Sequence, residues 1–330
     1  MRIIKSSYFD RFRCIADRCP DSCCKEWEVL VDPESAARYR SLPGDLGDKL
    51  RAVLKEEDGE TYMTIENGRC PMWRSDGLCR IQAELGEQAL CKTCRDFPRL
   101  THDYGDFVEM GLELSCPEAA RLILSEPPAP PIVTEVPGGA EPDYDQDDMS
   151  LLLGSREQAY ALLETPNIGQ ALARLLLYGY HVQAQLDGAE SIPFDGDAAL
   201  ASAREFANPA DVSALPRFYS GLEILTELWR SRLNAPAPAD WSEPIRALAR
   251  YGIERYWLQA ISDFDLAGRV KMIVAACLLV KTLGRDPIET AQVYSKEIEN
   301  NADNVDAILD AAYESPAFTD DKLLWLLLEE

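Results

Sequence analysis

The sequence predicts an α+β fold, with a cysteine-rich metal-binding N-terminal domain followed by a mainly α-helical C-terminal domain. Three observations lead there. Nine of the ten cysteines, at positions 14, 19, 23, 24, 70, 79, 91, 94 and 116, fall in the first 116 of 330 residues. Strand-like and helix-like periods alternate over that stretch, whereas most segments after residue 148 have helical spacing. Between them, residues 127–148 hold six prolines from Pro127 to Pro142 and then Asp143-Tyr144-Asp145-Gln146-Asp147-Asp148, which reads as an exposed linker unable to form a regular element. The expected domains are therefore 1–126 and 149–330, joined by the acidic, proline-rich segment 127–148.

Along the chain, Asp32-Pro33-Glu34 couples a capping carboxylate to proline at the first helical position and predicts a short helix over 34–42. Leu46, Leu50, Val53 and Leu54 give helical spacing to 45–57. Thr61 to Glu66 is β-rich, and Asn67-Gly68 ends it with a turn that presents Cys70. Asp76-Gly77 is a tight-turn signal that folds Cys70 and Cys79 toward each other. Residues 80–90 look helical and end at Cys91-Lys92-Thr93-Cys94; 102–115 suggest two strands around Tyr104-Gly105-Asp106, delivering Cys116 to a helix that starts at Pro117. The later helices are expected over 149–163, 168–186, 217–233, 242–261, 266–283, 287–300, 304–313 and 320–328, forming a packed bundle with Cys277 in its core.

Lys plus Arg number 33 and Asp plus Glu 57, a net charge of −24. That balance argues against an unaided grip on nucleic acid or anionic membrane, and it favours a basic or lysine-bearing partner. Residues 1–126 carry 18 basic and 24 acidic side chains against 15 and 33 in the rest, so most of the excess lies in the helical part. Met1 to Tyr8 has no apolar signal-peptide region, and the longest apolar run, Met272 to Val280, is too short to span a bilayer. A soluble, cytoplasmic protein is expected. In that reducing compartment clustered thiols point to a metal site or redox device rather than to disulfides.

The candidate metal ligands are Cys14, Cys19, Cys23, Cys24, Cys70, Cys79, Cys94 and Cys116. Thiolates are soft, charged ligands, and four complete a zinc or iron–sulfur site. Adjacent Cys23 and Cys24 do not easily face one ion, so two sites, or one cluster beside a free thiol, both stay open. His102 and His181 are the only histidines and neither has a ligand spacing to a cysteine, which turns the reading toward all-thiolate ligation without separating zinc from [4Fe-4S]. The radical-enzyme spacing Cys-x3-Cys-x2-Cys starts at Cys19 and Cys23 but meets Glu26 in third place. No thioredoxin-like pattern surrounds Cys91 and Cys94; Cys94 is taken as a ligand and Cys91 is left open. No dinucleotide, phosphate-loop or hydrolase signature appears, and no catalytic residue is assigned. Arg95 and Arg99, flanking Phe97-Pro98, are either donors to cluster sulfurs or a cofactor carboxylate, or plain surface charge.

Residues 14–24, then Cys70-Pro-Met-Trp, Asp76-Gly-Leu-Cys79-Arg-Ile-Gln, Leu85-Gly86, Thr93-Cys94-Arg-Asp-Phe-Pro98-Arg99 and Leu114-Ser-Cys116-Pro-Glu-Ala-Ala120, resemble the flagellin lysine N-methylase family, which looks like a branch of the Cys-x2-Cys-x2-Cys-Cys group of zinc- or iron-chelating domains. Cys91 stands where that family more often has serine. Tyr294 to Asn301 is similar to a family helix reading Phe-Ser-Arg, two residues, Glu-His-Asn, with Asn300 at the histidine; a solvated helix face is the alternative for this segment. The resemblance implies methyl transfer from S-adenosylmethionine to lysines of flagellin by a [4Fe-4S] protein. An active cleft is expected between the two domains, where clefts most often form. The competing readings are a non-enzymatic zinc-stapled scaffold that binds a partner and an iron–sulfur electron-transfer module.

Overall fold

Residues 1–329 are described by a computed structural model, in which strand β1 (Arg2–Lys5) leads into a loop whose only regular pieces before Val29 are the 3₁₀ turns Phe9–Arg11 and Ala16–Arg18. Four of the candidate thiols lie on this irregular stretch. Strand β2 (Val29–Leu30), helix α1 (Pro33–Ser41) and helix α2 (Gly44–Val53) follow. Asp32 caps α1 by accepting from the Ser35 N–H at 2.9 Å, and its second oxygen accepts from the Lys92 N–H at 2.7 Å. The expected helix over 45–57 stops at Val53. Asp58 and Gly59, both at positive φ, form a hairpin turn that peels residues 54–57 off as β3 (Leu54–Glu57) against β4 (Glu60–Met63).

Helix α3 (Arg80–Leu85) is shorter than expected because Gly86, at φ 85°, breaks it before a 3₁₀ turn at Glu87–Ala89. Helix α4 (Lys92–Asp96), the hairpin β5 (Arg99–Asp103) and β6 (Phe107–Leu112), and α5 (Pro117–Ser125) complete this part. Residues 127–148 differ from the expected structureless linker: they contain β7 (Ile132–Glu135), whose backbone pairs antiparallel with β1. One sheet therefore has the order β5-β6-β1-β7, with β1 parallel to β6, and a smaller one has the order β2-β4-β3.

The remaining helices are α6 (Gln146–Leu162), α7 (Ile168–Leu186), α8 (Gly196–Phe206), α9 (Ala214–Tyr219), α10 (Glu227–Asn234), α11 (Glu243–Tyr256), α12 (Leu266–Leu283), α13 (Pro287–Tyr294), α14 (Ala302–Glu314) and α15 (Asp320–Leu328). The sequence missed α8, which Asp195 caps through the N–H groups of Asp197 and Ala198. The expected helix over 217–233 is split because the Leu225 and Thr226 N–H groups donate at 2.7 and 2.9 Å to the carboxylate of Glu297. The expected helix over 287–300 ends as α at Tyr294 and continues as a π-turn, Ser295–Glu299.

Apolar burial joins these pieces differently from the expected boundary at residue 126. A small core holds Val29, Tyr39, Leu50, Met63, Met72, Ile81, Leu90 and Cys91. The large core takes in Phe9, Phe12, Phe107, Leu112 and Leu114 together with α5 and the helical body. The segments flanking 29–94 thus belong to the helical unit. Its central rod is α12, where Cys277 is fully buried as expected. Close approach to α12 explains Gly179 and Gly252, where an added Cβ would meet Val270 at 2.9 Å and Ile273 at 2.8 Å. No helix among the described residues is long and apolar enough to cross a membrane.

Two outcomes follow from these contacts. Asp32→Ala removes the α1 cap and the tie to Lys92, and is expected to cost about 1–2 kcal/mol in denaturant unfolding. The N–H donors hold the Asp32 carboxyl down at about 2, so its contribution is present above the ordinary Asp value and fades as pH falls toward 2; wild type and variant should converge there. Gly252→Ala overpacks α11 against α12 and is expected to destabilise by about 1–3 kcal/mol, read in the same titration.

Candidate functional site

The thiol loop is folded against three anchors. The Cys70 N–H donates to the Cys24 carbonyl at 2.8 Å, the Glu26 N–H to Gly68 at 3.1 Å, and the Thr93 hydroxyl to Leu30 at 2.8 Å. Together they set residues 19–26 beside the Cys70–Cys79 turn and beside α4. The turn itself closes as the Asp76-Gly77 signal predicts, with Gly77 at φ 81° and a bridge between Trp73 and Cys79. Cys116 stands at the cap position of α5.

Cys23 is the common neighbour. Cys19, Cys24, Cys79, Cys94 and Cys116 all lie within electrostatic reach of it, and Cys14 reaches the group through Cys19. Hydrogen bonds run from Cys23 to Cys24 and from Cys24 to Cys70. Accepting from Cys23 favours the Cys24 thiolate, but donation to Cys70 and burial win and push it up to about 12. Cys70, as acceptor, is lowered. Burial pushes Cys116 up to about 12 even though the α5 N–H groups of Ala119 and Glu118 point at its sulfur. Cys91, left open by the sequence, is 1% exposed and joins the group: Cys94 donates to it and holds it down at about 7, while Cys94 itself is raised.

The eight candidate ligands are thus gathered into one region. Among the described residues no three His, Cys, Asp or Glu side chains form a metal-holding group. By donor chemistry the set suits a soft cation or an iron–sulfur cluster, since mutual repulsion and burial oppose bare thiolates. Of the two arginines, Arg95 is over a third exposed beside Asp96, and Arg99 lies 5.3 Å from the Phe12 ring. Neither has a contact to a cysteine sulfur.

Sequence reasoning missed a second, charged layer on the helical side of the thiols. The π-turn carries it, and the solvated-face alternative is overturned: Ser295, Lys296, Glu297 and Ile298 are all buried. Lys296 Nζ lies 3.0 Å from Asp21 and 2.7 Å from Glu26, and 5.2 Å from the Trp27 ring. Burial works against its charge, but the two carboxylates outweigh this and raise its pKa, while Asp21 is lowered. Glu299 accepts from the hydroxyls of Tyr251 at 3.0 Å, Tyr256 at 2.8 Å and Ser295, and pairs with Arg255 at 3.5 Å. Glu113 and His102 face the same guanidinium. Burial pushes Glu113 up to about 7 and Glu299 adds to it, against the pull of Arg255. Burial and Arg255 lower His102, whose Nε2 is buried without a partner. The signal for this layer was in the sequence: the charges from Lys296 to Glu299 sit next to apolar Val293, Tyr294 and Ile298.

No protein-family model and no solved structure matches the chain. It is 33% identical over 134 residues to a Lysine-N-methylase of Salmonella typhimurium strain LT2, covering 38% of this chain and 33% of the relative. A Lysine-N-methylase of Salmonella choleraesuis strain SC-B67 is 32% identical over the same length and share. The chain thus spans about a third of those two relatives. The Flagellar biosynthetic protein FliU of Salmonella muenchen is 32% identical over 134 residues, and there the match covers 79% of the relative. With that coverage of a relative at this identity, the chain belongs to the flagellin lysine N-methylase family.

Proposed function

We propose that the chain is a protein-lysine N-methyltransferase acting on flagellin, with S-adenosylmethionine as methyl donor and a cysteine-held [4Fe-4S] cluster. The observation that carries the reading is the kinship with proteins named Lysine-N-methylase and FliU. Two features support it. The thiols converge at a seam with a buried layer of Glu113, Arg255 and Glu299, and the net charge of −24 favours an ammonium-bearing substrate.

The chemistry asks for a proton acceptor. A lysine ε-ammonium must release its proton before the nitrogen lone pair forms a bond to the methyl carbon, while the sulfonium–carbon bond breaks and its electron pair returns to sulfur. Glu113 is the carboxyl assigned this task in the proposal: it directly follows the strand that leads to Cys116 and lies beside the buried Ser115 hydroxyl. Arg255 and Glu299 hold it in a fixed electrostatic setting. The thiols that would hold the cluster are drawn from Cys14, Cys19, Cys23, Cys24, Cys70, Cys79, Cys94 and Cys116; when bound, it supplies redox-active iron and a strong local charge.

Flagellin co-expressed with this chain should carry methylated lysines by peptide mass spectrometry, and unmodified flagellin under reducing, donor-replete conditions would refute the activity. Anaerobically purified protein should be brown, with iron and sulfide in cluster ratio; colourless protein with stoichiometric zinc would replace the cluster by a structural metal. Cys23→Ser should lose most of the iron while keeping the helical circular dichroism of the body. Glu113→Gln should lower kcat by about 10²-fold with iron content unchanged, the loss expected for a general base.

A further inference from the structure

We infer that Lys296 is a positioning residue for the thiol loop, a single buried cation on the π-turn that clamps residues 19–27 onto the helical body. The inference stands on geometry and holds whether or not the chain methylates lysine. Asp21 lies between Cys19 and Cys23, and Glu26 lies two residues after Cys24, so the two carboxylates that Lys296 holds bracket the Cys23-Cys24 pair. The Lys296 side chain is 3% exposed, and Trp27 closes over its ammonium.

The backbone bonds of Cys24 and Glu26 to Cys70 and Gly68 tie the loop to the small lobe, and little besides Lys296 ties it to the helical body. The loop's regular structure is one 3₁₀ turn, its Cys14 and Cys23 are exposed, and Glu26 is kept at φ 74°. Of residues 13–28 only the partly buried Cys24 and Trp27 pack against a core, and that core is the small one, not the helical body. A segment so poor in apolar burial opens locally unless polar contacts fix it. Lys25 also pairs with Asp21, at 3.3 Å, but it belongs to the same loop and cannot tether it. Lys296 reaches across 275 residues of sequence.

The π-turn gives the lysine its reach. Over five residues Lys296 goes to the thiol loop, Glu297 to the backbone of Leu225 and Thr226, and Glu299 to Arg255, Tyr251 and Tyr256. A turn with i→i+5 bonds is rare, and such turns are frequent at functional sites. Glu297 and Glu299 brace the segment from which Lys296 acts.

The test is site-resolved alkylation of the purified full chain, followed by peptide mass spectrometry. Lys296→Met keeps the length and removes the charge; it should speed modification of Cys19 and Cys24 by at least about tenfold, a modest share of the cost of breaking a buried pair. Cys277, fully buried in α12, reports global unfolding and should stay protected. Lys296→Arg, which retains the charge, should stay closer to wild type than Lys296→Met. Unchanged rates at Cys19 and Cys24 in Lys296→Met would overturn the inference. If Cys277 becomes reactive in parallel, Asp21→Asn decides: faster loop modification with Cys277 protected supports the clamp, and no change overturns it.

Discussion

Buried charge in the π-turn is the constraint on which the arrangement of this protein depends. Lys296 and Glu299 have side chains only 3% and 4% exposed, and Glu297 is fully buried. None of them can be left alone, because an unpaired buried charge costs several kcal/mol. Each therefore dictates where another part of the chain goes. Glu297 requires backbone N–H donors, and the stretch between α9 and α10 gives up its helix to provide them at Leu225 and Thr226. Glu299 gathers α11 through Tyr251, Arg255 and Tyr256, and Arg255 brings in the sheet through Glu113 and His102. Such a network is weak evidence for net stability, since well-packed apolar replacements of similar volume are often as stable, but removing one partner of a buried pair is costly.

The thiol region depends on its neighbours in the same way. Its sulfurs are gathered by elements with no common core: an irregular loop, a turn on the small lobe, the short helix α4, and the start of α5 on the large body. The small lobe, centred on Leu50, Tyr39 and Met72, carries Cys70, Cys79, Cys91 and Cys94, whereas Cys116 is fixed to the helical unit. Cys23 lies at the junction. The sulfurs thus sit where the two apolar cores meet, and the seam is shaped by both. The two cores divide around residues 29–94 and not at a linker after residue 126.

Much of this was legible in the sequence wherever the signal was local. The Asp32-Pro33 start, the Asp76-Gly77 turn, and the limits of α7, α12 and α15 follow from caps, turn residues and apolar period. The cysteine spacings named the candidate ligands and their shared location, including the delivery of Cys116 to the head of a helix. Where local signals were outweighed, the reading failed. The helical pattern over 45–57 yielded to the hairpin turn at Asp58-Gly59, and the proline-rich 127–148 still supplied β7 because β1 offers a free edge.

The sequence by itself determined the α+β class, the crowding of thiols in the first third of the chain and the kinship, because these rest on composition, spacing and ordered motifs. Only the tertiary structure decided that residues 295–299 face inward, that Cys91 belongs with the thiols, and that Lys296 meets Asp21 and Glu26. A charged residue in a helical period carries no mark of whether water or a carboxylate 275 positions away will solvate it. That choice belongs to the packed chain, where burial removes the water and leaves the distant partner as the one means of keeping the charge.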